Sequence, residues 1–395
     1  KSQVIIYNRA LEKIQNCKPK YCYLLGRKIK NEEGKFDCFY SLGKIDEDGC
    51  DRKLINKIER GIKWIKRLKK YGDRWNPEDL QIKELYPNMS NSDDYPWHSQ
   101  KKNLANKIKE LTLLWQLGTN ERNLLHKRGI YSWNNVACNS QCLNFGKKIS
   151  NILDNIININ RNSNNKLINP TSILDIDNKI NINSNVKEFY VDFETSNNLN
   201  ESFDNVINYK EGDNIKIENS ENSIIYMIGI GWIENNEWIF KNYIVNRLSF
   251  YEERKIINKF LDLLKSYPNN IVYHWSNAEP VLLKKALKRN KVEYKINWFD
   301  LLKLFKSVPI TIKGNFSFGL KNVARNMYKN GLINTKWEDS TLDGLDAMLV
   351  AWYAEKECNH NNIDSIREFV DINPIIKYNE IDCKVMWDIL KYIKE

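Results

Sequence analysis

Apolar residues recur at helical spacing in several stretches of the first half of the chain. They do so from Val4 to Ile14 and again over Arg52–Lys70, where Ile55, Ile58, Ile62, Ile65 and Leu68 would share one face. Between these lies a run at Tyr21–Lys28 that reads as a buried strand. Leu104–Trp115 and Asn120–Arg128 read as two helices around a Leu117-Gly118 turn. From Asn139 to Asn185 the chain is dense in Asn, Ile and Ser with few acidic residues, the composition of a low-complexity linker with a helix in its first part.

After Glu188 the pattern changes to an α/β rhythm. Glu188–Glu194, Ser223–Trp232 and Glu237–Ile244 read as strands, the last two joined across Glu234-Asn235-Asn236. Tyr251–Ser266 reads as an amphipathic helix, Asn270–Trp275 as a short strand, and Pro280–Arg289 as a basic helix carrying Lys284 and Lys285. Asn297–Phe305 opens with Trp298-Phe299-Asp300, and helices are expected near Leu320–Lys329, Gly344–Lys356 and Ile375–Lys394. Leading strands, a crossover helix, another strand and a helical end predict an α/β domain with a mixed sheet.

Composition adds two limits. With 42% hydrophobic residues the chain can bury real cores, which excludes a protein that is disordered throughout. No apolar run approaches the roughly 20 residues of a membrane span, and the N-terminus has no charged-then-apolar signal segment, so an intracellular protein, cytoplasmic or nuclear, is expected. The start without Met suggests a fragment or a processed product. Eight cysteines (17, 22, 38, 50, 138, 142, 358 and 383) make no CxxC pair and are read as reduced thiols, with no iron–sulfur cluster expected from the N-terminal four.

The net charge of +11 is unevenly spread. Residues 1–186 hold 33 Lys+Arg against 20 Asp+Glu, whereas residues 187–395 hold 28 against 30. A basic first half suits a phosphate-backbone partner, although a Lys- and Asn-rich composition can also reflect coding bias.

Candidate chemistry lies in the second half. Asp192-Phe193-Glu194 puts two carboxylates two residues apart, on one face of a strand. A buried carboxylate is costly without a partner, so a pair at a strand end calls for a cation. Near the other end, Tyr378 and Asp382 stand at i and i+4, on one face of a helix. Each feature alone also fits a structural role, the acids as strand-edge charges and Tyr378 as a core aromatic.

Together, Asp192 and Glu194 with Tyr378-x-x-x-Asp382 resemble the first and third motifs of the DEDD superfamily of 3′→5′ exonucleases. Lys377 stands where the His branch would have its catalytic His, so the resemblance is to the Tyr branch. It implies an RNase H-like fold and a phosphodiesterase using two Mg²⁺ or Mn²⁺ ions. In place of the second motif's usual Asp, Tyr273-His274-Trp275-Ser276-Asn277-Ala278-Glu279 makes Glu279 the candidate, with Asp300 as its rival. The resemblance assigns the metals to Asp192, Glu194, Glu279 and Asp382, and the attacking water to the Tyr378 hydroxyl. A phenol with pKa near 10 suits positioning better than proton abstraction. Lys321, with Lys284 and Lys285, is a candidate nucleic-acid contact.

Gln3-Val-Ile-Ile-Tyr7 is similar to the Gln-x-x-x-Tyr motif that follows the catalytic core of RecB-like PD-(D/E)XK nucleases, while that family's upstream acidic residues and Lys are missing. Leu111–Gly118 through Ile130 resembles a helix-hairpin-helix-like segment between nuclease modules. The organisation expected is a partial RecB-like α/β remnant over 1–85, a helical region over 86–138, a linker over 139–186 and an RNase H-like exonuclease domain over 187–395. DNA is the expected partner and substrate. An RNA 3′-end trimming nuclease and a catalytically silent nucleic-acid-binding scaffold are the alternatives.

Overall fold

The structure, a computed structural model, describes residues 1–17, 19, 21–25, 42–46, 49, 51–76, 82, 85–162, 166–170, 186–196, 223–337 and 344–395. They form two compact units, Lys1–Tyr86 and Pro87–Glu395.

In the first unit, helices α1 (Ser2–Gln15) and α2 (Arg52–Tyr71) accompany an antiparallel pair, β1 (Cys22–Leu24) with β2 (Gly43–Ile45). Its small core gathers Ile5, Cys22, Ile45, Ile55 and Ile58, so the apolar stripe of α2 is buried only at its N-terminal end. The strand expected at Tyr21–Lys28 is described only as far as Leu25, and Cys38 and Cys50 lie outside the described residues. Among the described residues, no disulfide is formed.

The second unit is built on a five-stranded mixed sheet. Its strands are β4 (Lys187–Ser196), β5 (Ile224–Glu234), β6 (Glu237–Ile244), β7 (Asn270–His274) and β8 (Trp298–Asp300), in the order β6-β5-β4-β7-β8. β4 pairs antiparallel with β5 and parallel with β7, which puts it at the centre. The β5–β6 hairpin turns through Asn235 and Asn236, both at positive φ (50° and 65°), a conformation that Asn tolerates.

Strand alternation sorts β4 into two faces. Phe189, Val191 and Phe193 enter a core with α6 (Phe250–Lys265), α7 (Ala278–Arg289) and α10 (Gly344–Asn361). Tyr190 enters the opposite core, with α5 (Lys147–Arg161), α8 (Leu301–Ser307), α9 (Leu320–Lys329) and the C-terminal part of α11 (Ile372–Lys394). The result is an α/β domain with helices on both faces of a mixed sheet, preceded by a mainly helical region that includes α3 (His98–Ile108) and α4 (Thr119–Lys127).

Two stretches depart from the sequence reading. The helix expected over Leu104–Trp115 ends at Ile108, because Lys109 is left-handed (φ 57°) and the chain turns so that Glu110 reaches inward. Glu110 is fully buried, pairs with Arg122 at 3.1 Å and accepts from the Thr112 backbone N–H at 3.2 Å. Within the Asn-rich stretch read as a linker, α5 buries Ile152, Leu153, Ile156, Ile157 and Ile159 in the domain core. Beyond it, the two-residue β3 (Ile168–Asn169) pairs with β9 (Thr311–Ile312), and residues 171–185 lie outside the described residues. Among the described residues, no helix is long and apolar enough to cross a membrane.

Candidate active site

The face of β4 that carries Tyr190 continues to Asp192 and Glu194, where helix α11 crosses the sheet. Asp192 is opposite Gly229 and Glu194 opposite Met227 on β5, with a bulge just beyond Glu194. From α11, Asn379 donates from Nδ2 to Asp192 Oδ2 (2.7 Å) and to the Asp192 carbonyl (3.2 Å). This contact depends on a glycine. A Cβ at Gly229 would run into Asn379 Oδ1 and lie 2.8 Å from its Cγ, so only Gly lets the amide sit flat on the strand.

One turn along α11, Tyr378 and Asp382 face the same space, and the phenol hydrogen-bonds the carboxylate. The indole Nε1 of Trp337 also donates to Asp382 Oδ1 at 2.9 Å. The segment before Trp337 is tethered by Asp388, whose Oδ2 accepts the backbone N–H groups of Asn334 (2.9 Å) and Thr335 (2.8 Å). Lys321, in the first turn of α9, holds its ammonium 4.6 Å from the Tyr378 ring centroid. Its charge acts on both Glu194 and Asp382. The start of α9 is held to the end of β7 by Trp275 Nε1, which donates to the Phe318 carbonyl at 2.9 Å.

Glu279 enters from the first turn of α7. It is buried (6% exposed), and its Oε2 has no hydrogen-bond partner. The nearest cationic candidate is His274 Nδ1, at 3.6 Å, which is itself unpartnered and beyond hydrogen-bond reach. The negative charge of Glu279 bears on Asp192, Glu194 and Asp382, so these four carboxylates form one electrostatic group. Asp300 is elsewhere engaged. It caps α8, accepting from the Lys303 N–H (3.0 Å) and the Ser276 N–H (3.2 Å). Lys284 and Lys285 are exposed on α7.

Burial and mutual repulsion raise the proton affinity of the group. Asp192 is held well above the usual carboxylate range, first by burial and then by the charges of Asp382, Glu194 and Glu279. Burial and Asp382 push Glu194 up to about 8. Asp382 rises only to about 6, because Tyr378, Lys321 and Trp337 partly offset its burial. Tyr378 is raised far above an ordinary phenol by burial and by the adjacent carboxylates, so its hydroxyl is a donor and not a base.

A sequence model of the RNase H superfamily matches residues 211–394. The fold is RNase H-like, and this likeness points to a nuclease-type function on a nucleic-acid substrate. The matched stretch contains Glu279, Tyr378 and Asp382 but begins beyond Asp192 and Glu194, which the sheet brings back to the others. None of the curated proteins matches the chain.

RNase H-like nucleases generally use divalent metal ions, and two observations bear on whether these residues fit them. All four acids are oxygen donors of the kind hard cations take, and Glu279 Oε2 is a buried acceptor without a donor. Among the described residues, no three His, Cys, Asp or Glu side chains close into a ready-made ion cage. The donor chemistry therefore fits a hard cation.

Sequence reasoning did not find Asn379, Trp337 or Gly229. Asn379, which bonds Asp192 twice and Glu194 besides, and Trp337 act on the acids through hydrogen bonds from distant segments, and nothing in a periodicity marks such partners. Gly229 and Gly231 did carry a signal, as two glycines inside an otherwise apolar strand, where a close approach by another group is expected. A Cβ at Gly231 would meet the Trp238 ring, whose Nε1 donates to Glu380 at 3.3 Å.

Proposed function

We propose that the chain is a metal-dependent 3′→5′ exonuclease that hydrolyses phosphodiester bonds of single-stranded DNA or DNA ends. The observation that carries this reading is the convergence of Asp192, Glu194, Glu279 and Asp382 with Tyr378 and Lys321 from four separate elements. Three buried carboxylates and a half-buried one that repel one another have little reason to be gathered unless a cation relieves them.

Asp192, Glu194, Glu279 and Asp382 would hold Mg²⁺ or Mn²⁺. Two such ions when bound would supply an activated water, charge relief on the phosphate and help for the leaving oxygen. Tyr378, kept protonated, orients the attacking water by donating or by sharing the hydrogen bond it now makes to Asp382. Lys321 places a positive charge beside Tyr378, where a phosphate oxygen can be received. Asn379 keeps Asp192 aimed by fixing one of its oxygens. The preference for DNA over RNA rests on analogy with RecB-like nucleases, as does the reading of the first unit as their remnant.

The test uses 3′- and 5′-labelled single-stranded DNA and RNA with Mg²⁺, Mn²⁺ or EDTA, and an Asp192→Ala, Asp382→Ala double variant beside the native chain. Stepwise metal-dependent release from the 3′ end, abolished in the double variant, is expected. Release that survives the double substitution, or none with either metal, overturns the proposal.

A further inference from the structure

A second surface of the same domain has no role in the carboxylate site. A groove of about 1130 Å³ is lined by Lys102 and Lys109 around α3, by Lys313 and Phe316 after β9, and by Arg325 and Lys329 on α9. Among the described residues, no carboxylate lines it. Its volume exceeds the roughly 300–1,000 Å³ of small-molecule sites. Cations gathered along a groove with no carboxylate among its described lining suit a polyanion.

The groove wall is built. Gly314, at φ 86°, donates its N–H to Asn160 Oδ1 at 2.7 Å, and Asn330 Nδ2 donates to the Lys313 carbonyl at 2.8 Å. Phe316 packs on Trp133 with ring centroids 5.1 Å apart, leaving a half-exposed aromatic surface in the groove. Flat aromatic surface among cations is the combination that single-stranded nucleic acid uses, with bases stacking and phosphates paired.

Helix α9 links groove and acids. Asn322, Arg325, Asn326 and Lys329 line the groove at i, i+3, i+4 and i+7, one helical face, while Lys321 on its flank stands over Tyr378. We infer that this groove is the track for a single-stranded polynucleotide, leading its end along α9 to the carboxylate site. The last part of this inference rests on the proposed nuclease activity; the binding itself does not.

The test measures binding of fluorescein-labelled single-stranded DNA and RNA 20-mers by anisotropy, in EDTA so that hydrolysis cannot intervene. Arg325→Glu, Lys329→Glu is expected to weaken binding about tenfold or more and to flatten the salt slope by about 1.4, two contacts at ~0.7 each. Arg325→Gln, Lys329→Gln should show a smaller loss of the same kind. Lys241→Glu, Lys259→Glu, with the same change in net charge at exposed positions on β6 and α6 that do not line the groove, should bind as the native protein does. Unchanged affinity and slope in both groove variants overturn the inference, and so does polyglutamate binding as tightly as the oligonucleotides. Weaker binding in the groove variants together with no hydrolysis by the native chain would uphold the track while refuting the nuclease. Hydrolysis with unaltered binding would do the reverse. The DNA and RNA arms tell which polynucleotide the track prefers.

Discussion

Asn379 and Asp192 are 187 residues apart in sequence and joined by a 2.7 Å hydrogen bond from amide to carboxylate. Asn379 is fully buried, so removing its amide takes from Asp192 Oδ2 the donor that fixes it. Asn379→Ala is expected to lower stability by about 1–3 kcal/mol, measured by urea unfolding, and to reduce any nuclease activity in parallel. Asn379→Asp should destabilise further in EDTA, because it adds a charge to a group already in repulsion.

The same contact predicts that Gly229→Ala is not tolerated quietly. Its Cβ must displace Asn379, and overpacking of this kind costs about 1–3 kcal/mol. Combining Gly229→Ala with Asn379→Ala should cost less than the sum of the two, a non-additivity that a double-mutant cycle measures. Strict additivity would show that the two positions do not share the clash.

The raised carboxylates predict how the metal-free protein responds to pH. In the unfolded chain Glu194 and Asp382 titrate near their ordinary values, and in the fold they reach about 8 and about 6. Because the folded values are the higher, their contribution is fully present below about pH 4 and is lost as pH rises through about 6 and then 8. In EDTA, Tm should fall between pH 5 and pH 8.5, each kcal/mol appearing as about 2–4 °C. Mg²⁺ or Mn²⁺ should recover stability most at the alkaline end. A flat Tm profile in EDTA that neither ion moves would refute the mutual repulsion.

Glu279 and Asp300 are separable by substitution. Glu279→Gln removes a buried negative charge whose Oε2 has no partner, so metal-free stability should rise or hold while metal affinity and activity drop. Asp300→Asn keeps a side-chain oxygen for the Lys303 and Ser276 N–H groups and should leave both nearly as they were. Isothermal titration with Mn²⁺ and a thermal melt of each variant decide the matter.

Much of the second unit was legible from periodicity. The strand Glu237–Ile244 and helix Leu320–Lys329 have the bounds that alternation and helical spacing give, since each buries one face against a core that demands that period. A helix was expected early in the Asn-rich stretch, but composition obscured that α5 belongs to the domain core. Its asparagines at 151, 155, 158 and 160 make the stretch look like a linker, although the isoleucines between them keep a buried stripe. The early end of α3 was hidden because a buried ion pair, Glu110 with Arg122, redirects the backbone, and such a pair leaves no local pattern. At the candidate site, spacing singled out Asp192, Glu194, Tyr378 and Asp382, and Glu279 entered only through the family resemblance. Asn379, Trp337 and the acid-free groove were not legible, because they exist only once distant segments meet.

β4 is paired to β7 over Lys187–Tyr190 and to β5 over Tyr190–Ser196, so Asp192 and Glu194 lie just past the end of the β7 pairing and are held by β5 alone. Where the β7 ladder stops, the sheet leaves a notch beside the two acids, into which α11 brings Asn379 and α7 brings Glu279. Amides in a singly paired stretch are released when one neighbouring strand parts from it, without the domain opening as a whole. Deuterium should therefore enter at Asp192 and Glu194 earlier than at Tyr190, and the floor of the site should loosen with the β4–β5 ladder.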